Sequence, residues 1–132
     1  NKRLSEYKNI DFKQFNSLYL TLDSLDTKKF DLIWIDGAHG YPVVCSDITN
    51  AISLANDNTI IMCDDIWKEL KKNDKIYSSV AAWETLEAYS ECNILANYYF
   101  CKRIGKKYLA SQKLISFSKL KKDTINSNFH NH

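Results

Sequence analysis

Apolar positions along this chain change their period several times, and each change marks an element. From Phe12 to Leu25, the residues Phe15, Leu18, Leu22 and Leu25 recur at steps of three and four, which predicts an amphipathic helix. Asp26-Thr27-Lys28-Lys29 interrupts that stripe. Phe30-Asp31-Leu32-Ile33-Trp34-Ile35 is then a nearly continuous apolar run, the pattern of a short strand buried on both faces. It stops at Asp36-Gly37-Ala38-His39-Gly40-Tyr41-Pro42, a loop with two of the three glycines and the only proline. Val44, Ile48, Ala51, Ile52 and Ala55 mark a second helix, with Pro42 near its first turn, where a missing N–H costs little.

Asn56-Asp57-Asn58 is a turn, and Thr59-Ile60-Ile61-Met62-Cys63 a second buried strand that ends in Asp64-Asp65. A polar stretch from Lys68 to Tyr77 precedes a third helix, about Ser78 to Ser90, with Val80, Trp83 and Leu86 inward. Asn97–Lys102 and Lys107–Ser111 flank Ile104-Gly105-Lys106 and read as an antiparallel hairpin, its tyrosines Tyr98, Tyr99 and Tyr108 forming cross-strand pairs. Trp34 and Trp83 are expected in the core, and Trp67 in packing beside the acidic doublet. The tail after Lys119 is polar and expected to fray.

This order gives an α/β sheet with parallel central strands and an antiparallel C-terminal hairpin. Residues 1–118 form the expected domain and 119–132 a polar tail. Right-handed crossovers place both acidic loops side by side at the carboxyl ends of their strands, the edge where such sheets bind ligands.

Composition narrows the class without naming it. The 132 residues suffice for one small domain, and 45% apolar with 26% charged residues is ordinary for a globular chain. A net charge of +2 is too slight to imply a nucleic-acid or acidic-membrane partner, and the lysine clusters at Lys68–Lys75 and Lys119–Lys122 read as solvated faces. No apolar run approaches a membrane span, and no signal-peptide core follows the first residues. The four cysteines contain no CxxC pair, which argues against zinc. Cys45 and Cys63 lie in apolar segments, as small buried residues of a reduced, cytoplasmic protein do. A Cys92–Cys101 disulfide is the weaker reading.

The chemistry concentrates at the strand ends. Asp36 closes one strand, Asp64 and Asp65 the next, so neighbouring strands would bring three carboxylates together. Like charges so placed repel unless a cation neutralises them, and oxygen donors suit Mg²⁺, Ca²⁺ or Mn²⁺. A divalent ion there could bind vicinal substrate oxygens and acidify a hydroxyl. Histidine is the side-chain type suited to accept a hydroxyl proton at neutral pH, which makes His39, three residues beyond Asp36, a candidate for that role. The plainer reading, that such carboxylates only cap loops and helices, is favoured for one aspartate and not for three.

The segment Phe30–Tyr41 resembles the fourth-strand signature of class I methyltransferases, in particular the macrocin O-methyltransferase group: an apolar strand, then Asp-Gly-x-His-x-Tyr. Thr59–Ile66 resembles the fifth strand of that group, which ends in Asp-Asp-Ile or Asp-Asp-Tyr. Asp64 and Asp65 follow Asp36 by 28 and 29 positions, similar to the ligand spacing of the wider catechol O-methyltransferase-like enzymes. The resemblance implies a Rossmann-like methyltransferase sheet and Mg²⁺, or another divalent cation, held by Asp36, Asp64 and Asp65. It also implies donor contacts at Asp36 and Gly37, with Asp36 and His39 as catalytic residues and His39 in the place of the general base. The methyl donor would be S-adenosylmethionine and the acceptor a small-molecule hydroxyl.

Two features depart from the pattern, the milder being Asp57-Asn58 in place of the usual Gly-Gly before the fifth strand. The family cradles its donor in a glycine-rich loop, and no glycine precedes Gly37. Together with the Asn1 start, this leads to the expectation that the N-terminal, donor-binding half lies outside the chain and that the chain alone lacks activity. Two other readings compete: a non-catalytic methyltransferase-like scaffold, and an α/β metal-dependent hydrolase using the same aspartates. A hydrolase would need a phosphate cradle or nucleophile, and no glycine-rich phosphate loop is present. A sheet edge left open by absent strands would favour self-association.

Overall fold

Ile33 and Ile35 alternate with Leu32 and Trp34 along β1 (Leu32–Ile35), and only one side of that alternation is covered. The computed structural model describes residues 5–20, 25, 30–68, 80–101, 103–104, 107–108 and 113–122. Among them, β1 pairs in parallel with β2 (Ile60–Ile66), from Leu32↔Ile60 to Ile35↔Cys63. The connection is α1 (Val43–Leu54), whose Val44, Ile48, Ala51 and Leu54 are buried. Those four positions fall on one helical stripe. The expectation of a first strand buried on both faces is corrected: Leu32 is 52% and Trp34 47% exposed. Trp34 is therefore not a core residue. β1 lies at the edge of the sheet order, and α1 covers its other face.

The described part of the apolar stripe from Phe12 to Leu25 does not form the predicted helix. The described part holds a single 3-10 turn, Ser17–Tyr19, and Phe12, Phe15, Leu18 and Tyr19 are exposed. Residues 21–24, with Leu22, lie outside the described residues. Asn16 gives a local reason: its side-chain oxygen accepts the Leu18 N–H and caps a tighter turn. Polar side chains of this kind compete with helix propagation.

After β2, α2 (Ala81–Glu91) packs Ala81, Ala82 and Leu86 inward, with Trp83 half-buried against the core. The predicted polar stretch lies mostly outside the described residues, which resume at Val80. β3 (Leu95–Cys101) then runs antiparallel to β6 (Leu114–Leu120), from Leu95↔Leu120 to Cys101↔Leu114. Between them, β4 (Arg103–Ile104) and β5 (Lys107–Tyr108) form a two-residue ladder. This ladder falls where the hairpin is expected, with Gly105 and residues 109–111 outside the described residues, and the long partner of β3 is Leu114–Leu120. The sheet order is β1-β2-β6-β3, so β6 inserts between β2 and β3. The sheet also continues past residue 118, and the Lys121 N–H donates to the Ile94 carbonyl.

β6 carries little sequence signal of a core strand. Its buried side is Leu114, Ser116 and Ser118, and serines do not signal a core strand. Ser118 Oγ donates to Asn97 Oδ1 at 2.6 Å, and Asn97 Nδ2 donates to the Leu86 carbonyl at 2.7 Å, which satisfies Ser118, while the buried Ser116 Oγ has no hydrogen-bond partner among the described residues. Tyr99 faces α2, not a cross-strand aromatic: its ring lies 4.5 Å from that of Trp83 and its hydroxyl donates to Glu87 Oε1 at 2.7 Å. Burial and the neighbouring Glu87 carboxylate raise the Tyr99 hydroxyl far above its ordinary range.

Thr59 fastens the turn before β2. Its buried hydroxyl donates to the Phe30 carbonyl at 2.6 Å and accepts the Asn56 N–H at 2.9 Å. At the centre of β2, burial and then the Asp64 charge push the Cys63 thiol up to about 12. A thiolate-directed reagent near pH 8 is therefore expected to modify exposed Cys92 in the native state and Cys63 only on unfolding, as mapped by mass spectrometry. Labelling of Cys63 at the rate of Cys92 would show that this core is open.

Candidate active site

The parallel pair β1–β2 sets the site, because both strands deliver their carboxyl ends to the same edge. Asp36 follows the last residue of β1, and the chain turns through Gly37 and His39 into α1. On β2, strand pairing does not stop at the acidic doublet as expected. It continues to Ile66, with a register shift against β6 between Cys63 and Ile66. Asp65 sits in this bulge at φ 55°, a left-handed conformation that aspartate tolerates better than most residues. The bulge turns consecutive aspartates to different environments.

Asp65 joins Asp36 and His39. One ligand-capable atom from each lies within 4.8 Å of the others. His39 Nε2 is 3.2 Å from Asp65 Oδ2 and 3.9 Å from Asp36 Oδ1. Asp64 is placed differently. It is buried, and its Oδ1 accepts the backbone N–H of Asp65 at 2.8 Å. Of the five residues expected at the site, Asp36, His39 and Asp65 are grouped, Gly37 lines the cleft next to Asp36, and Asp64 instead accepts the hydrogen bond that shapes the bulge.

Two residues escaped the sequence reading. Lys113, one residue before β6, puts Nζ 2.6 Å from Asp65 Oδ1. The pairing Ile66↔Leu114 brings it there, and nothing in the local sequence foretells that register. Asp47, on α1, stands beside Gly37: a Cβ added at Gly37 would lie 3.5 Å from its Oδ2. Asp36, Gly37, Asp47, Asn50 and Trp34 line a cleft of about 290 Å³ between β1, α1 and the 3-10 turn. Asn50 Nδ2 donates to the Ser17 carbonyl and ties that turn to α1. A larger cleft of about 460 Å³, bounded by Tyr41, Cys45, Thr85 and Tyr89, includes none of the grouped residues, so size alone does not mark the chemistry.

Residues 4–66 match a family model described as a methyltransferase domain. The match ends with β2 and so contains both acidic strand ends, while Lys113 lies beyond it. It supports methyl transfer as the general chemistry, and the mixed α/β sheet is consistent with a Rossmann-like fold. No curated protein and no solved structure matches the chain. Among the described residues, no helix is long and apolar enough to cross a membrane.

Two carboxylates and an imidazole form a donor set that fits a divalent cation, and the Lys113 ammonium already stands against one of them as a positive charge. Asp36 is half-exposed and Asp65 mostly covered, so a ligand would approach from the Asp36 side.

Proposed function

We propose that these residues form the acceptor side of an S-adenosylmethionine-dependent, metal-assisted O-methyltransferase acting on a small-molecule hydroxyl. The observation that carries the reading is the meeting of Asp36, His39 and Asp65 at the carboxyl ends of two adjacent parallel strands. The match over residues 4–66 supplies the methyl-transfer part. The donor's glycine-rich loop would come from residues outside this sequence, because no glycine precedes Gly37. A reducing, cytoplasmic setting belongs to the same proposal, and the four thiols are free.

Asp36 and Asp65 would hold Mg²⁺, and a bound ion would supply a lower pKa for an acceptor hydroxyl. Mg²⁺ prefers oxygen donors, which leaves the His39 imidazole to take the proton. His39 Nε2 is 3.2 Å from Asp65 Oδ2, and a neutral imidazole carrying its proton on that nitrogen would keep its basic lone pair on Nδ1. Asp65 thereby orients the ring as well as contributing charge. Gly37 lines the same cleft as Asp36, where the donor would reach the acceptor.

Calorimetric titration of the chain with Mg²⁺ and with S-adenosylmethionine, separately and together, tests this. The expected result is a Mg²⁺ signal that disappears in Asp36→Ala and no donor signal from this chain alone. Absence of Mg²⁺ binding at millimolar concentrations would sink the metal part and favour a scaffold role. Much tighter binding of Zn²⁺ that is lost in His39→Ala would instead make His39 a ligand and remove it as the base.

A further inference from the structure

Lys113 adds a control to this site, on the reading that Asp36 and Asp65 bind a divalent ion. Its ammonium is 2.6 Å from Asp65 Oδ1, while His39 Nε2 lies 3.2 Å from the other oxygen of the same carboxylate. Both oxygens of Asp65 are therefore already engaged by nitrogen. Lys113 Nζ and Asp65 are 27% and 20% exposed as side chains, so water screens this pair less than a surface pair. The anchor is firm, because Lys113 directly precedes the Ile66↔Leu114 pairing that seats β6 on β2. A second cation at Asp65 must displace the ammonium from Oδ1 or accept its repulsion at close range.

We propose that Lys113 is a resident counter-cation that holds the carboxylate cluster together without metal and is displaced when a divalent ion binds. Lys113 thus sets the affinity of the site: it weakens metal binding and keeps the empty cluster from repelling itself apart. Flexibility suits a lysine to this task, since its four-carbon stem can swing the charge to solvent while Asp65 stays in the bulge.

The test compares wild type, Lys113→Gln and Lys113→Arg, with Mg²⁺ as the probe, by calorimetry and by thermal melting with and without the ion. Lys113→Gln is expected to bind Mg²⁺ about tenfold more tightly than wild type, with Lys113→Arg close to wild type. Without metal, Lys113→Gln should melt lower than wild type, and Mg²⁺ should raise its midpoint by more. In the wild-type chain, acylation of Lys113, mapped by mass spectrometry, should rise several-fold on adding saturating Mg²⁺ at fixed pH, a readout independent of any variant's folding. Equal or weaker Mg²⁺ binding by Lys113→Gln, or unchanged Lys113 labelling in Mg²⁺-bound wild type, would overturn the counter-cation role and leave the metal site standing. Failure of both wild type and Lys113→Gln to bind Mg²⁺ would overturn the metal reading and this inference with it.

Discussion

Ile48→Ala is expected to destabilise the fold by about 2–5 kcal/mol, a large part of the roughly 5–15 kcal/mol that holds a typical domain. Ile48 is fully buried on α1 and belongs to the cluster that joins α1, β1, β2 and α2. Shortening it removes three carbons from a site enclosed by several elements, so little relaxation can refill the space. The same helix carries Asp47 and Asn50 and follows the Asp36–Pro42 loop, so its loosening would also blur the site. Tyr19→Ala serves as the control: that side chain is 78% exposed, and its loss should change stability by less than about 0.5 kcal/mol. Urea unfolding reads both, as a shifted midpoint at unchanged slope. An Ile48→Ala cost below about 1 kcal/mol would mean that α1 is not seated on the sheet as described.

The legible parts of this molecule are those in which one residue pattern has one physical outcome. The α1 stripe must face a core, and Val44, Ile48 and Ala51 do. The runs before Asp36 and at Ile60–Cys63 form neighbouring parallel strands, which is enough to bring two acidic loops to one edge. The failures have equally specific causes. Phe12–Leu25 has a helical period, but periodicity says nothing about whether a partner face exists, and Asn16 starts a tighter turn. Trp34 reads as core because an apolar run cannot reveal that its strand is an edge strand, covered on one side. β6 is hidden in the sequence because Ser116 and Ser118 occupy its inward positions, where Ser118 is satisfied by Asn97. That satisfaction depends on a register no linear pattern encodes.

The site shows the same division. Asp36, His39 and the acidic doublet could be found because strand ends at a parallel edge concentrate function. Which member of the doublet reaches His39 could not be found, because it depends on a one-residue bulge and a positive φ at Asp65. In a regular strand Asp64 and Asp65 would point to opposite faces, and side-chain alternation alone leaves the choice open. Lys113 belongs to the unreadable class too: it is far from Asp65 in sequence and is brought near only by antiparallel pairing.

Separating the two aspartates gives the second large effect. Asp65→Asn is expected to weaken Mg²⁺ binding by more than the roughly 10- to 100-fold that losing a merely orienting partner costs a metal site, because it removes a carboxylate charge from the grouped set. Asparagine is the right replacement, since it adopts the left-handed backbone that φ 55° demands and keeps the size of the side chain. Asp64→Asn should behave differently. Its Oδ1 can still accept the Asp65 N–H, so both the bulge and Mg²⁺ affinity should be nearly retained. Asp64→Ala removes that acceptor and should cost about 1–3 kcal/mol in stability, again read by urea unfolding. A site built on all three aspartates makes the opposite forecast, namely that Asp64→Asn and Asp65→Asn lose the ion alike. Equal losses in two folded variants would put the Asp64 carboxylate among the ligands and require the bulge to rearrange when the ion binds. A loss confined to Asp65→Asn would tie metal binding to the Asp36, His39 and Asp65 grouping and leave Asp64 as the residue that holds the strand end in shape.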